Sequence, residues 1–368
     1  MQFIDLKEQQ RRIRLELDVA IARVLDHGRY VMGPEVAELE DQLAAIVGSR
    51  HCISCSSGTD ALLLGLMAYG VGPGDAVITT PFTFFATAEM IALTGATPIF
   101  VDIDLDTYNI DPAKIEEVIH SVKAEGVLNL KGIIPVDLFG LPADYEKIMP
   151  LAEAHGLFVL QDAAQAFGAE AFGKKCPAHG HIGTTSFFPA KPLGCYGDGG
   201  AVFTDDDGMA EIIKSLRVHG EGVDKYNNVR IGINGRLDSI QAAVLLEKLK
   251  LYPEEIELRQ QVASQYAEQL DSTLKLQAMP VGYKSVWAQF CIQADGRDEI
   301  MARLKQADIP SVIYYVKPMH LLDAFAGLGY REGDFPVAEA ASKRIFAVPM
   351  HPYLTSEDVG HVCGVIGG

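Results

Sequence analysis

The sequence is poor in cysteine, in basic residues and in long apolar runs. Six cysteines are scattered over 368 residues, so a disulfide framework is not expected. Acidic residues outnumber lysine and arginine by 49 to 31, and the net charge of −18 argues against a general nucleic-acid or membrane-surface binder. No uncharged apolar run reaches ~18 residues, which predicts no membrane span. Charges begin at Asp5, so we expect no signal peptide and a cytoplasmic protein.

The composition is that of a globular protein, and the length predicts two domains at ~150 residues each. Hydrophobic residues make up 48% of the sequence and charged residues 22%, which excludes a disordered chain. Cys52 and Cys55 form a Cys-x-x-Cys pattern in an apolar strand that runs into a turn. Because no second ligand pair follows, we interpret both as small core residues rather than as a zinc or redox motif, and no metal site is predicted.

Short apolar runs alternate with helical patterns through the first two thirds of the chain. Strands are predicted in HCISCS, DAVITT, TPIFVDID, GIIPVDLFG and LFVLQDAA, with helices between them. This alternation is typical of βαβ units, in which helices cover both faces of a parallel sheet. Two closely spaced strands, TTSFFP and GGAVFTDD, are expected to complete the sheet. Amphipathic helices are also predicted over residues 7 to 26 and 35 to 47.

The pattern changes at a long helical stretch from about residue 237 to residue 270. Beyond it we predict a strand in VWAQFCIQA, a helix in RDEIMARLKQAD, a strand in SVIYYV and a helix near residues 335 to 345. The chain is therefore divided into a large α/β domain, residues 1–249, and a smaller C-terminal α/β domain, residues 250–368. Ligands of open parallel sheets bind at the carboxyl ends of the strands, so the residues that follow each strand are the candidates for chemistry.

Three segments that follow predicted strands carry chemically informative groups. SSGTDAL opens a helix, and backbone N–H groups at a helix start can bind an anion, although a plainly capped helix is the alternative. Asp162 ends a buried strand and needs a cationic or hydrogen-bonding partner, with local capping as the alternative. Lys191 lies in a turn between prolines and a glycine, and is either a solvated residue or a positioned nucleophilic amine. Together the three groups are the parts that hold pyridoxal phosphate.

The same segments resemble the DegT/DnrJ/EryC1/StrS family of sugar aminotransferases, a branch of the fold-type I pyridoxal-phosphate enzymes. The likeness runs from FIDLKEQ to PMHPY, through RYVMGPEVAELE, SSGTDALLL, PFTFFATAE, QDAAQAFGA, SFFPAKPLGCYGDGGA, RVHGEG and GINGRLDSIQAA. It implies a fold-type I transferase whose large domain has a mainly parallel seven-stranded sheet between helices. It also implies pyridoxal 5'-phosphate as the cofactor.

The resemblance implies a role for each matched position. Lys191 matches the lysine that forms the imine with the cofactor, and Asp162 matches the acid that pairs with the pyridine nitrogen. Contacts are implied with the ring oxygen for Gln165, with the ring face for Phe84 (core packing is the alternative), and with the phosphate for Gly58, Thr59 and Ser186. Asn234 matches a phosphate contact that the partner subunit donates, which implies a homodimer with shared active sites.

The implied reaction is a transamination from L-glutamate to a nucleotide-linked keto sugar, because family members that dehydrate sugars carry histidine in place of Lys191. The motifs look most like those of members that act on UDP-2-acetamido-2-deoxy-3-oxo-glucuronate for surface polysaccharide. Arg236 is the predicted partner of the sugar carboxylate, with a structural salt bridge as the alternative. Tyr314 stands where the family often has histidine, and Tyr315 keeps its place. His320 keeps a family-like position near the active site, and His219 in RVHGEG is also family-like, with a structural role as the alternative for both histidines.

Three other functions are alternatives to this one. The first is transamination of another keto sugar, such as a dTDP-3-keto or UDP-4-keto hexose. The second is a non-catalytic regulator on the same fold, against which Lys191, Asp162 and Gln165 argue. The third is a nucleotide-binding oxidoreductase, which is disfavoured because the first βα turn reads SSGTDA rather than G-x-G-x-x-G.

Overall fold

Three helices precede the first strand of the computed structural model, which describes residues 1–224 and 226–368. They are α1 (Leu6–Arg12), α2 (Arg14–His27) and α3 (Pro34–Val47). The helix predicted over residues 7 to 26 is thus divided at Ile13, which is buried and has a non-helical backbone. The Asp5 carboxylate caps α1 by accepting a hydrogen bond from the Glu8 amide at 2.9 Å.

Strands and helices then alternate as predicted. The elements are β1 (His51–Cys55), α4 (Gly58–Ala68), β2 (Asp75–Thr79), α5 (Ala86–Leu93), β3 (Thr97–Phe100), α6 (Pro112–Glu125), β4 (Asn129–Ile133), α7 (Tyr145–His155), β5 (Phe158–Asp162), β6 (Glu170–Ala171), β7 (Lys174–Lys175), β8 (Ile182–Ser186) and β9 (Gly200–Thr204). The strand β4 begins before the predicted GIIPVDLFG and overlaps it only at Gly132 and Ile133, and Leu138–Gly140 form a turn of 3₁₀ helix instead.

The remaining elements follow β9 in the chain. They are α8 (Asp207–Leu216), α9 (Ser239–Gln269), β10 (Lys275–Leu276), β11 (Tyr283–Lys284), β12 (Phe290–Gln293), α10 (Arg297–Gln306), α11 (Pro336–Arg344), β13 (Ile345–Val348) and α12 (Ser356–Gly367). The prediction of a strand in SVIYYV is wrong, since only an isolated bridge between Val312 and Ala347 forms there. The apolar residues of this segment pack instead against a cluster of buried aromatic side chains, and periodicity alone does not separate these outcomes.

Seven strands form the central sheet, in the order β1-β9-β8-β5-β4-β2-β3. The strands from β8 to β3 are parallel neighbours, while β9 runs antiparallel between β8 and β1. Adjacent residues of β9 point to opposite faces of the sheet and belong to different hydrophobic cores. Val202 packs against α4 and α8, whereas Phe203 packs against α3 and α9. The prediction of a mainly parallel seven-stranded sheet between helices is confirmed.

A second core forms beyond the central sheet. The strands β10, β12 and β13 make an antiparallel sheet that packs with α9, α10 and α12. The predicted domain boundary, between residues 249 and 250, falls inside the 31-residue helix α9, and the division into two domains stays a prediction. No helix in the described residues is long and apolar enough to cross a membrane.

We predict that Gly183→Ala destabilises the fold while Gly364→Ala does not. A Cβ on Gly183, in β8, would overlap the carbonyl oxygen of Pro177, and we expect overpacking of this kind to lower the free energy of unfolding by about 3 kcal/mol. Gly364 lies exposed in α12 with no atom within 4 Å of an added Cβ, so alanine there is neutral or stabilising by up to about 1 kcal/mol. Urea denaturation would measure both, and equal midpoints would contradict the first expectation.

Candidate active site

The carboxyl ends of the central strands open into one cavity of about 400 Å³. Nine of the twelve predicted site residues line it, namely Gly58, Thr59, Phe84, Asp162, Gln165, Ser186, Lys191, Tyr314 and Tyr315. The parallel register explains this convergence, because strands that run in the same direction end at the same edge of the sheet. Asp162, for example, pairs with Thr184 of β8, two residues before Ser186.

The start of α4 and the end of β8 form a site suited to an anion. The Ser57 side chain caps α4 by accepting from the Asp60 amide at 3.0 Å. The first N–H groups of a helix have no partner within the helix, and they carry a partial positive charge. A Cβ on Gly58 would lie 2.5 Å from the Cβ of Ser186, so only glycine lets the Ser186 hydroxyl approach the helix start this closely. This cradle fits a phosphate group.

Asp162 is a buried carboxylate with two hydrogen-bond donors. Its Oδ2 accepts from the Thr87 hydroxyl at 2.8 Å, and its Oδ1 accepts from the Ala164 amide at 3.2 Å. Burial raises the pKa of Asp162, while these two bonds and the charge of Lys191 oppose the increase. A cationic N–H in the cavity would stabilise the charged carboxylate, so Asp162 fits the protonated pyridine nitrogen of pyridoxal phosphate.

Lys191 lies in the loop of residues 187–199, which joins β8 to β9. Its backbone amide donates to the carbonyl oxygen of Phe188 at 2.8 Å, which closes a tight turn around the lysine. Burial lowers the pKa of Lys191 to about 8, and the charge of Asp162 limits the decrease. The amine is therefore neutral in a substantial fraction of molecules near pH 8, as a nucleophilic lysine requires.

Gln165 and Tyr315 are held against each other on one side of the cavity. The Gln165 Oε1 accepts from the Phe139 amide at 2.7 Å, and its Nε2 donates to the Tyr315 hydroxyl at 3.1 Å. The Tyr315 ring packs edge-on against Phe82, which is fully buried and belongs to the core. Phe84, by contrast, is 59% exposed and lines the cavity, so its ring is free to cover a flat ligand.

Asn234 and Arg236 lie outside the cavity of their own chain. The segment that carries them is fixed by the Gly235 carbonyl, which accepts from the Ser56 amide at 3.1 Å. Asn234 is exposed, and Arg236 makes no hydrogen bond or ion pair with any other residue that the structure describes. Their predicted contacts with the cofactor phosphate and the sugar carboxylate stay predictions.

His320 and His219 do not line the cavity either. His320 is buried, with its Nε2 3.0 Å from a carboxylate oxygen of Glu339, and burial lowers the pKa of this histidine. His219 is exposed and has a positive φ of 62°. The predicted contact of His320 with substrate stays a prediction, and this geometry adds nothing in its favour.

Twelve further residues line the cavity without having been predicted, and they include Ile4, Ser57, Thr87 and Gln289. Ser57 and Thr87 belong to the motifs SSGTDAL and PFTFFATAE, and a search of those motifs for hydroxyl donors would have found them. Ile4 and Gln289 are far from the other site residues in sequence, and only the tertiary structure brings them to the cavity.

Comparison with known proteins gives matches over the whole chain. The profile of the DegT/DnrJ/EryC1/StrS aminotransferase family matches residues 12–367. The UDP-2-acetamido-2-deoxy-3-oxo-D-glucuronate aminotransferase of Pseudomonas aeruginosa is 46% identical over 367 residues, which cover 100% of this chain and 99% of that relative. The UDP-N-acetyl-3-dehydro-alpha-D-glucosamine 3-aminotransferase of Acidithiobacillus ferrooxidans is 40% identical over 364 residues, 99% of this chain and 96% of that one.

A solved structure gives the same result. The crystal structure of a DegT DnrJ EryC1 StrS aminotransferase from Brucella abortus is similar with a TM-score of 0.98 and 51% identity, and the match covers 100% of this chain and 99% of that one. Fold and site together define a pyridoxal-phosphate-dependent aminotransferase, and the chain belongs to the DegT/DnrJ/EryC1/StrS family. The predictions of the family, the α/β fold, transaminase chemistry and the cofactor are confirmed.

We predict that pyridoxal phosphate attaches to the cofactor-free protein faster as the pH rises through about 8, and that the rate levels off within about one pH unit above that value. The lowered pKa of Lys191 sets this limit, because the ammonium form below the pKa is not a nucleophile and the neutral amine dominates above it. Visible absorbance would follow the rate, and borohydride reduction followed by peptide mass spectrometry would locate the cofactor. A rate that keeps rising to about pH 10, as for an ordinary lysine, would contradict the expectation.

Proposed function

We propose that this aminotransferase transfers the amino group of L-glutamate to the 3-keto group of UDP-2-acetamido-2-deoxy-3-oxo-D-glucuronate. The product, UDP-2-acetamido-3-amino-2,3-dideoxy-glucuronate, would serve the synthesis of surface polysaccharide. The observation that carries the proposal is the convergence of Lys191, Asp162 and the α4 cradle in one cavity, within a chain 46% identical throughout to a relative named for this reaction. A second relative is named for an amination at the same sugar position.

Three parts of the cavity have a defined task in this reaction. Pyridoxal phosphate would supply, when bound, an aldehyde that binds amines covalently and a ring that accepts the electron pair left when a carbon next to the amine loses its proton. Asp162 keeps the ring nitrogen protonated, and the start of α4 with Ser186 binds the phosphate. Lys191 removes the proton from the α-carbon of the donor and later returns a proton to the sugar carbon that receives the amine.

The proposed active unit is a homodimer with shared sites. Asn234 and Arg236 lie outside the cavity of their own chain, which supports their donation to a neighbour. Apolar side chains are exposed close by, including Val31 at 46% and Ile231 at 87%, and such surfaces commonly mark interfaces. Arg236 of one subunit would then pair with the sugar carboxylate in the cavity of the other, for which a guanidinium is well suited. Cytoplasmic localisation stays a prediction from the sequence.

Another keto sugar is the alternative substrate. Tyr314 lines the cavity at the position where the family often has histidine, so the contacts to the sugar differ there from the usual pattern. A sugar without a carboxylate would need no role for Arg236. The sugar acid therefore requires Arg236 and the other keto sugars do not, so a substitution of Arg236 distinguishes the two kinds of substrate.

We expect the purified protein to convert UDP-2-acetamido-3-amino-2,3-dideoxy-glucuronate and 2-oxoglutarate to L-glutamate, which is the proposed reaction in reverse. L-Glutamate alone should also remove the visible absorbance of the lysine-bound cofactor. Lys191→Ala should abolish both, because no other amine in the cavity replaces Lys191 as base and acid. Mass spectrometry of the products and absorbance would report the two results. Turnover of glutamate without turnover of this sugar would leave an aminotransferase but reject the substrate.

We expect Arg236→Ala to lower kcat/KM for the sugar acid by a factor of ten to a hundred, on the order of the ~1.5–3 kcal/mol of a charge-assisted hydrogen bond. The matching sugar with a hydroxymethyl group in place of the carboxylate should lose little. Arg50→Ala is the matched control, because Arg50 is an exposed arginine that pairs with Asp207. Arg50 directly precedes the first residue of β1, whereas the cavity lies beyond the last residue of that strand. Equal losses for the two sugars would contradict the carboxylate role.

Subunit mixing distinguishes a shared site from a site within one chain. A refolded equimolar mixture of Lys191→Ala and Arg236→Ala subunits should regain about a quarter of the wild-type activity, because half of the dimers would be mixed and each would hold one intact site. No regain above the activity of the separate variants would contradict the donation of Arg236 across the interface.

A further inference from the structure

A lysine and a glutamine of α9 fasten the loop that carries Lys191. The Lys248 ammonium donates to the carbonyl oxygen of Gly194 at 2.6 Å and lies 4.3 Å from the centre of the Tyr196 ring. The Gln241 Oε1 accepts from the Tyr196 amide at 2.8 Å, and its Nε2 donates to the Tyr196 carbonyl at 3.2 Å. The two α9 residues are seven positions apart, so they lie on one face of the helix.

Lys248 is an unusual residue to find in this place. Its side chain is 1% exposed, and burial lowers the pKa of the ammonium to about 8 although Glu255 and Cys195 oppose the change. A buried charge is costly unless it is well paired, and here the nearest partners are a carbonyl group and an aromatic ring rather than a carboxylate. Lys248 does not line the cavity and does not affect the pKa of Lys191 directly, so a direct role in the reaction is not indicated.

The contact point lies only three residues after Lys191. Between the two the loop folds back tightly, because a Cβ on Gly194 would lie 2.6 Å from the carbonyl oxygens of both Phe188 and Pro189. The same Phe188 carbonyl accepts the amide of Lys191. A fixed position for Gly194 therefore fixes the backbone on which Lys191 sits.

We propose that Lys248 and Gln241 form a clamp that holds the loop so that the Lys191 amine stays beside Asp162 and away from water. Lys248 is then a positioning residue that acts through Lys191, and the inference rests on the proposed function of Lys191. The clamp also explains why a charge is retained inside the protein, since the ammonium is long enough to reach the Gly194 carbonyl from the helix and to pack against Tyr196.

The test compares Lys248→Met and Gln241→Leu with Lys250→Met in the full chain. Methionine keeps much of the volume of lysine but cannot donate to Gly194, and Gln241→Leu removes the other half of the clamp if the first variant does not fold. Lys250 is the control, because it is an exposed lysine two residues further along α9 that pairs with Glu247. Three quantities are measured: the thermal unfolding midpoint, the rate at which pyridoxal phosphate attaches, and the pKa of Lys191 from the pH dependence of its acylation in the cofactor-free protein.

We expect either clamp variant to slow attachment of the cofactor by about 100-fold, the order of loss caused by a ~1 Å misplacement of a reacting group. The pKa of Lys191 should rise towards that of an ordinary lysine, because a loosened loop exposes the amine to water. Lys250→Met should change neither quantity. A lowered unfolding midpoint with an unchanged attachment rate and an unchanged Lys191 pKa would overturn the clamp. Failure of the sugar reaction would not, because acylation of Lys191 needs no substrate.

Discussion

The site depends on keeping a carboxylate and an amine together, with both withdrawn from water. Burial acts on Asp162 and Lys191 in opposite directions, since it raises the pKa of the acid and lowers the pKa of the amine, and each group opposes the shift of the other. The charge of Asp162 is stabilised by short local hydrogen bonds rather than by a tight ion pair with Lys191. Thr87 and the Ala164 amide bind the carboxylate, and the amine is left reactive.

Close backbone approach is the second requirement, and glycine meets it at several points. A Cβ on Gly58 would press against Ser186, and one on Gly200 would overlap the Ser57 carbonyl. These glycines bring the start of α4 so close to β8 and β9 that the helix start and the end of β8 form one anion site. The cradle is therefore a product of sheet geometry as much as of the residues that line it.

Much of this arrangement was predictable from the sequence, because alternating strands and helices define a parallel sheet and the residues after each strand share one edge. Asp162, Lys191 and the start of α4 follow from that rule, and the family resemblance added Phe84, Gln165 and Ser186. The sequence did not predict that SVIYYV would avoid a sheet, because an apolar run of this length suits a strand and an aromatic cluster equally well. Ile4 and Gln289 lie in the cavity through long-range packing that no local pattern records.

The reversed direction of β9 has a consequence for how this enzyme can vary. Because β9 returns beside β8, the loop of residues 187–199 closes a hairpin whose two ends are fixed by one register, with Ser186 opposite Gly200. An inserted residue would either shift that register, and turn every side chain of β9 to the other face, or displace Lys191 along its loop. The connections that cross over through helices elsewhere in the sheet tolerate changes in length far better. This one stretch should keep its length even among relatives whose sequences have diverged widely.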